Sequence, residues 1–163
     1  MGILRAMPIA FFLAACAALA ACAAAPPKPP QPVNVKLNIA VSADVNPDAQ
    51  NRPSPIVIRV YQLKDDAAFK GADYFALYDK EAATLTATLV SREELELAPG
   101  ERHSADFSVS PDTRFIGVAA AYRDIRNAQW RAQTGTVEKG VADLVKTGKI
   151  AIAVDRARVS FAN

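Results

Sequence analysis

The chain has 163 residues, with 19 lysines and arginines against 17 aspartates and glutamates, so its formal net charge is only +2. This balance offers no electrostatic case for binding nucleic acid or an anionic membrane surface. The chain contains one histidine and two cysteines, and both cysteines, Cys16 and Cys22, lie near the N-terminus. A folded domain beyond them therefore has no disulfide, no cysteine-based metal site and no redox motif.

The N-terminal segment has the layout of a secretory signal. Arg5 supplies positive charge, residues 6–19 form an apolar run, and small residues lead to Cys22. The ending Leu19-Ala20-Ala21-Cys22 resembles the bacterial lipobox, in which a signal peptidase cleaves before a cysteine that already carries diacylglycerol. We expect residues 1–21 to be a lipoprotein signal peptide and Cys22 to be the lipidated, palmitate-bearing first residue of the mature chain.

Two other interpretations of this segment stay open. Leu13-Ala14-Ala15-Cys16 also fits the lipobox, although cleavage there leaves an apolar run of only about eight residues. An uncleaved transmembrane helix would need about 20 apolar residues, which the run does not reach. With cleavage before Cys22, the next residue is Ala23 and not Asp. The enteric sorting rule for lipoproteins then predicts release to the outer membrane, with the folded part in the periplasm.

Residues 22–32 are expected to be a tether. Five of the ten residues from Ala23 to Pro32 are proline, a composition that favours extended polyproline II structure. At about 3.1 Å per residue, such a tether could hold a domain roughly 30 Å from the lipid. Residues 33–163 would then form one domain of ordinary size.

Alternating and continuous apolar runs predict that this domain is built mainly from strands. Val33 to Val41 alternate strictly between apolar and polar residues, while residues 115–122 are apolar throughout and predict a central strand. The remaining predicted strands cover residues 55–63, 105–109, a short segment at Trp130, and a closing hairpin of residues 150–154 and 157–161. Short strands separated by turns predict an all-β sandwich with one helical insertion.

Two helical segments are predicted. Asp65 and Asp66 can begin a short helix that runs through Tyr78 and offers Phe69, Phe75 and Leu77 to a core. The sequence Ser-Arg-Glu-Glu at residues 91–94 resembles a capping box and predicts one helical turn.

The sequence gives little support for an enzyme. His103 could act as a general base with Ser104 or Asp106, but neighbouring residues of a pleated strand point to different faces, so no triad geometry follows. No cluster of metal-ligating residues and no phosphate-binding glycine loop is present. We therefore expect no catalytic residues, no metal and no cofactor other than the covalent lipid on Cys22.

One cluster of aromatic and charged residues offers an alternative function. Tyr122-Arg123-Asp124 is followed by Trp130-Arg131, and arginine can stack on an aromatic ring or pair with a carboxylate. A Tyr122/Trp130 face could bind a small ligand or a cell-wall polymer. The simpler interpretation is a strand end whose rings pack while its charges stay in water.

Taken in order, several segments together resemble the TssJ family of type VI secretion lipoproteins. A lipobox cysteine leads through a proline-rich tether to an alternating strand. The further matching segments are Val45-Asn46-Pro47-Asp48, Arg52-Pro53-Ser54-Pro55, the strand of residues 56–64, residues 69–78, Leu97-Ala98-Pro99-Gly100, residues 118–124 and Trp130-Arg131.

The resemblance implies a transthyretin-like β-sandwich with an added helix. It also implies an outer-membrane anchor of the secretion machine, which binds the periplasmic C-terminal domain of TssM through the loop between the first two strands and needs no small-molecule substrate. Here that loop contains the following residues: Asp44, Val45, Asn46, Pro47, Asp48, Ala49, Gln50, Asn51, Arg52, Pro53 and Ser54.

The composition of this loop agrees with a binding role. Loops of this length in compact domains are often functional or disordered. Pro47, Pro53 and Pro55 would stiffen it and lower the ordering cost of binding, while Asp44 and Arg52 offer charged contacts. From composition alone, a merely solvated loop remains the alternative.

Overall fold

The computed structural model describes residues 31–134 and 146–162, and within them eight strands form two sheets. The strands in chain order are β1 (Val33–Val41), β2 (Ile56–Leu63), β3 (Leu89–Leu97), β4 (Arg102–Val109), β5 (Phe115–Ala120), β6 (Arg131–Thr134), β7 (Lys149–Val154) and β8 (Val159–Phe161). One sheet has the order β4-β1-β7-β8 and the other the order β3-β2-β5-β6. β1 and β7 run parallel, and the other paired strands run antiparallel.

The main core lies between the two sheets because each contributes an apolar face. Leu37 and Ile39 of β1 and Ile58 and Val60 of β2 are fully buried in the same cluster, together with Ile152 of β7. The alternation predicted for β1 is therefore confirmed. All six residues of β5 are buried, as expected for a strand covered on both faces.

A helical insertion between β2 and β3 covers the outer side of β5. It consists of α1 (Ala67–Gly71), α2 (Tyr74–Asp79), α3 (Glu81–Leu85) and a 3₁₀ turn (Thr86–Thr88). A second apolar cluster joins it to the sheet, and its members are Tyr61, Leu63, Phe69, Leu77, Leu85, Phe115 and Ala119.

The prediction of a single helix through Tyr78 was wrong. The chain is extended at Ala72, and the Asp73 carboxylate then accepts a hydrogen bond from the Ala76 N–H at 2.8 Å, which starts a new helix. Phe75 was expected in the core but is 62% exposed. The break turns this residue outward while Leu77 stays buried.

The helical turn predicted at residues 91–94 was also wrong. These residues lie in β3, an edge strand whose backbone pairs with β2. Their polar side chains are exposed, and Arg59 Nε lies 2.6 Å from Glu94 Oε2 across the strand pair. Pairing with a buried neighbour overrides the local helix preference of Ser-Arg-Glu-Glu.

The sandwich has two distinct ends. The chain enters at Val33, which pairs with Val109 of β4. At that end buried Gln62 joins the sheets: its Nε2 donates to the Ser108 carbonyl at 2.8 Å, and its Oε1 accepts from Ser110 N–H and Thr113 Oγ1. The β1–β2 connection lies at the opposite end. None of the helices described here is long and apolar enough to cross a membrane.

Candidate functional site

The base of the β1–β2 loop, residues 44–54, is fixed to the sandwich. Val45 is fully buried in the main core, and Ser54 is also buried. The Ser54 N–H donates to the Val45 carbonyl at 3.2 Å, which closes the base of the loop. The loop is therefore a defined projection from the domain.

Asn46 connects this base to two other chain segments. Its backbone N–H donates to the Arg156 carbonyl at 3.1 Å, and its Nδ2 donates to the Pro55 carbonyl at 2.8 Å. Its Oδ1 accepts from the Arg123 N–H at 2.8 Å. The residue has a positive φ of 48°, which asparagine tolerates better than most residues.

The tip of the loop is a turn that is closed by its own hydrogen bonds. The Asp48 N–H donates to the Arg52 carbonyl, and the Asn51 N–H donates to the Asp48 carbonyl, each at 2.9 Å. One Asp48 carboxylate oxygen accepts from the N–H groups of Gln50 and Arg52, and the other pairs with Arg52 Nε at 2.7 Å. The tip thus keeps its shape independently of the base.

Arg156, in the turn between β7 and β8, braces the loop from the side. Its Nη2 donates to Asn51 Oδ1 at 2.7 Å, and its Nη1 lies 3.8 Å from Asp44 Oδ2. Exposed ion pairs of this kind add little stability. The contacts with Arg156 therefore matter mainly because they fix where the loop lies.

A cleft of about 620 Å³ opens beside the loop. The residues lining it are Asn46, Pro47, Asp48, Ala49, Asn51, Tyr122, Arg123, Asp124, Ala128, Arg156 and Ala157. Tyr122 forms a buried wall: its hydroxyl donates to the Asp155 carbonyl at 3.0 Å. Burial raises the pKa of this phenol, so it stays neutral and donates a hydrogen bond.

The cleft is larger than the site predicted from the sequence. The predicted loop forms one wall, while the β5–β6 connection and the β7–β8 turn form the other. The sequence places Arg123 and Asp124 in the Tyr122/Trp130 cluster, and Arg156 lies between the two strands of the predicted closing hairpin. Sequence alone could not show that these residues lie beside the loop, because Arg123 and Asn46, whose N–H and Oδ1 are hydrogen-bonded, are 77 positions apart in the chain.

The Tyr122/Trp130 cluster does not form one recognition face. Tyr122 lines the cleft, whereas the Trp130 ring packs edge-on against Tyr74 of α2 at 5.3 Å. Arg131 stacks over Trp130 and donates from Nη1 to the Phe69 carbonyl at 2.8 Å. Trp130 and Arg131 thus attach the helical insertion to the sheet.

Ser104 and Asp106, the two residues considered as partners of His103, are each paired with a residue of β1. Ser104 Oγ donates to Asn38 Oδ1 at 2.9 Å, and Asp106 pairs with Lys36 at 2.7 Å, both across to β1. Within residues 31–134 and 146–162, no three His, Cys, Asp or Glu residues are grouped to hold a metal ion. Cys22, the signal peptide and most of the expected tether lie outside the described residues.

The closed tip makes a prediction about pH. The pKa of the Asp48 carboxyl is lowered below 3.8, mainly because the carboxylate accepts a hydrogen bond from the Arg52 backbone N–H. The Arg52 guanidinium lowers the pKa further, while desolvation opposes the shift. Because the folded pKa lies below the unfolded one, this stabilisation is present above pH 3.8 and is lost as the pH falls through the folded value. We expect an NMR titration of the Asp48 carboxyl carbon to give a midpoint below 3.8. A higher midpoint would contradict the closed turn.

Known proteins share this sequence pattern and fold. The family model described as "Type VI secretion lipoprotein, VasD, EvfM, TssJ, VC_A0113" matches residues 33–157. The crystal structure of the T6SS lipoprotein TssJ1 from Pseudomonas aeruginosa is 31% identical with a TM-score of 0.70, over 80% of this chain and 95% of that one. No curated protein is significantly similar in sequence.

Two further similar chains come from structures of type VI secretion proteins. One, from a structure described as "Type VI membrane complex", is 27% identical with a TM-score of 0.68, over 82% of this chain and all of that one. The other, from "T6SS protein TssM C-terminal domain (869-1107) from EAEC", is 26% identical with a TM-score of 0.65, over 80% and 98% of the two chains. This chain therefore belongs to the type VI secretion lipoprotein family, which confirms the β-sandwich and the outer-membrane lipoprotein expected from its sequence.

Proposed function

We propose that this lipoprotein is a structural component of the type VI secretion membrane complex and binds the periplasmic C-terminal domain of TssM through residues 44–54. The observation that carries the proposal is the fixed shape of this exposed loop, whose base is pinned by Val45 and Asn46 and whose tip is closed by Asp48. A loop that is ordered before binding loses less entropy in the complex. Similarity to chains in a type VI membrane complex and in a TssM structure supports this partner.

The direction of the chain suits an anchor. We propose that residues 1–21 are removed, that Cys22 carries the acyl chains, and that residues 22–32 tether a domain of residues 33–163. The chain enters the sandwich at Val33, and the loop leaves from the far end of β1. Nine residues of strand span about 30 Å. The binding loop then faces the periplasm, away from the end that carries the lipid.

The same proposal includes no reaction and no cofactor. The cleft beside the loop presents the exposed charges of Arg123 and Asp124 next to a buried wall formed by Tyr122, whose hydroxyl donates to the Asp155 carbonyl. These groups suit recognition of a protein surface. Its only prosthetic group would be the lipid on Cys22, and it would act by holding the outer membrane and TssM together.

The proposal predicts that the tip of the loop is required for TssM binding. Val45 and Ser54 are buried, so only residues 47–53 should be exchanged for a Gly-Ser linker of equal length. We expect the mature lipoprotein in detergent to bind the TssM periplasmic domain with micromolar or lower Kd in calorimetry, and the exchanged variant to show no measurable binding.

A matched control changes a turn at the other end of the sandwich. Pro111 and Asp112, in the exposed β4–β5 turn, are replaced by Gly-Ser, and binding should be unchanged. Circular dichroism melting must show both variants folded. If the loop variant binds as well as the unaltered protein, the tip formed by residues 47–53 is not the TssM site and the proposed binding mode is wrong.

A further inference from the structure

We propose that Asn46 is the positioning residue of this binding surface: it holds the loop in one arrangement with the β5–β6 connection and the β7–β8 turn, so that the partner meets all three segments together. The inference rests on the proposed function and extends it from one loop to a composite surface. Asn46 itself is 4% exposed, so it acts through the residues it holds.

The side-chain amide of Asn46 is matched to its neighbours in one orientation only. Its Oδ1 faces the N–H of Arg123, which can only donate, and its Nδ2 faces the carbonyl of Pro55, which can only accept. If the amide were rotated by 180°, its NH₂ group would face the Arg123 N–H, donor against donor, and its oxygen would face the Pro55 carbonyl, acceptor against acceptor. Aspartate would keep the bond to Arg123 N–H but would place a carboxylate oxygen against the Pro55 carbonyl.

The position of Asn46 within the loop explains why it governs placement rather than tip shape. It lies between buried Val45 and the turn that starts at Asp48. That turn closes on itself through bonds between Asp48 and Arg52. Loss of the Asn46 contacts would therefore leave the tip folded and held from the side by Arg156 alone, so that it could shift relative to Tyr122 and Arg123 across the cleft.

The chain offers a matched control for this idea. Gln62 is also 4% exposed and its side-chain amide makes three hydrogen bonds, to Ser108, Ser110 and Thr113. It lies at the other end of the sandwich from the loop. Gln62→Ala removes a buried amide at comparable structural cost, but it leaves the cleft untouched.

The experiment compares TssM binding by four mature lipoproteins in detergent: unaltered, Asn46→Ala, Asn46→Gly and Gln62→Ala. We expect both alanine variants to melt at lower temperature than the unaltered protein. Only the Asn46 variants should lose affinity for the TssM periplasmic domain, by tenfold or more, measured well below their melting temperatures. Asn46→Gly keeps a residue that accepts positive φ, so a loss of affinity shared by both Asn46 variants would not come from backbone strain at this position.

Amide hydrogen exchange supplies the second readout. In the Asn46 variants we expect faster exchange at the Arg123 N–H, with the Asn51 and Arg52 amides of the tip still protected. Equal affinity in all variants, or equal loss in Gln62→Ala, would overturn the positioning role while leaving the loop as the binding site. Absence of binding by the unaltered protein would instead overturn the proposed function.

Discussion

Replacing Cys22 by serine should abolish attachment of the protein to the outer membrane. A serine hydroxyl cannot form the thioether that carries diacylglycerol, and the peptidase cleaves only after that modification. A transferred lipid with two or more chains gives stable anchoring, whereas the Cys22→Ser chain keeps only its uncleaved signal segment and has no acyl chains to insert into the outer membrane. Membrane fractionation of cells making Cys22→Ser should therefore show no mature protein in the outer membrane, and palmitate labelling should be lost.

The matched variant for this experiment is already in the sequence. Cys16→Ser changes the other lipobox-like cysteine and should leave both palmitate labelling and fractionation unchanged. The folded domain should melt at the same temperature in both variants, because its buried core begins at Val35. Palmitate retained in Cys22→Ser and lost in Cys16→Ser would move the anchor to Cys16.

The sandwich was predictable from local patterns where those patterns report burial directly. β1 alternates because one face meets the core, and β5 is apolar throughout because the helical insertion covers its second face. The hairpin through Asp155 and Arg156 follows from turn residues between two apolar runs. In each case the signal lies within about ten residues.

Errors arose where distant pairing decides the local structure. Residues 91–94 have helix-forming side chains but became an edge strand because β2 offered a backbone partner. The helix predicted through Tyr78 broke at Asp73, whose side chain caps a new helix at Ala76. The apolar spacing predicts one continuous helix, whereas Asp73 is also a favourable N-cap residue for a new helix. Sequence alone does not show which of the two signals decides the structure.

The candidate site was half predictable for the same reason. The loop of residues 44–54 could be identified by its length and prolines, since both are local. Its partners in the cleft, Arg123 and Arg156, are brought there by the order of strands in two different sheets. The Asn46 contacts depend on that order and have no signal in the neighbouring sequence.

The attachment of the helical insertion provides a last test of the fold. The Phe69 ring lies flat against the sheet where Gly117 has no side chain: a Cβ there would be 2.8 Å from Phe69 Cζ. Phe69 is also fully buried and packs against Tyr61 at 5.4 Å between ring centres. Glycine at this point of a central strand is therefore a requirement of packing.

We expect Phe69→Ala to lower the free energy of unfolding by about 3–5 kcal/mol and Gly117→Ala by about 1–3 kcal/mol, both measured by urea unfolding. Since the second cost comes from contact with the ring, Gly117→Ala should cost far less when Phe69 is already alanine, so the two changes should not be additive.

Gly71→Ala is the control, because nothing lies within 4 Å of its added Cβ and it should cost nothing. Additive losses in the double variant would mean that the ring does not rest on Gly117 in solution, and that α1 packs elsewhere.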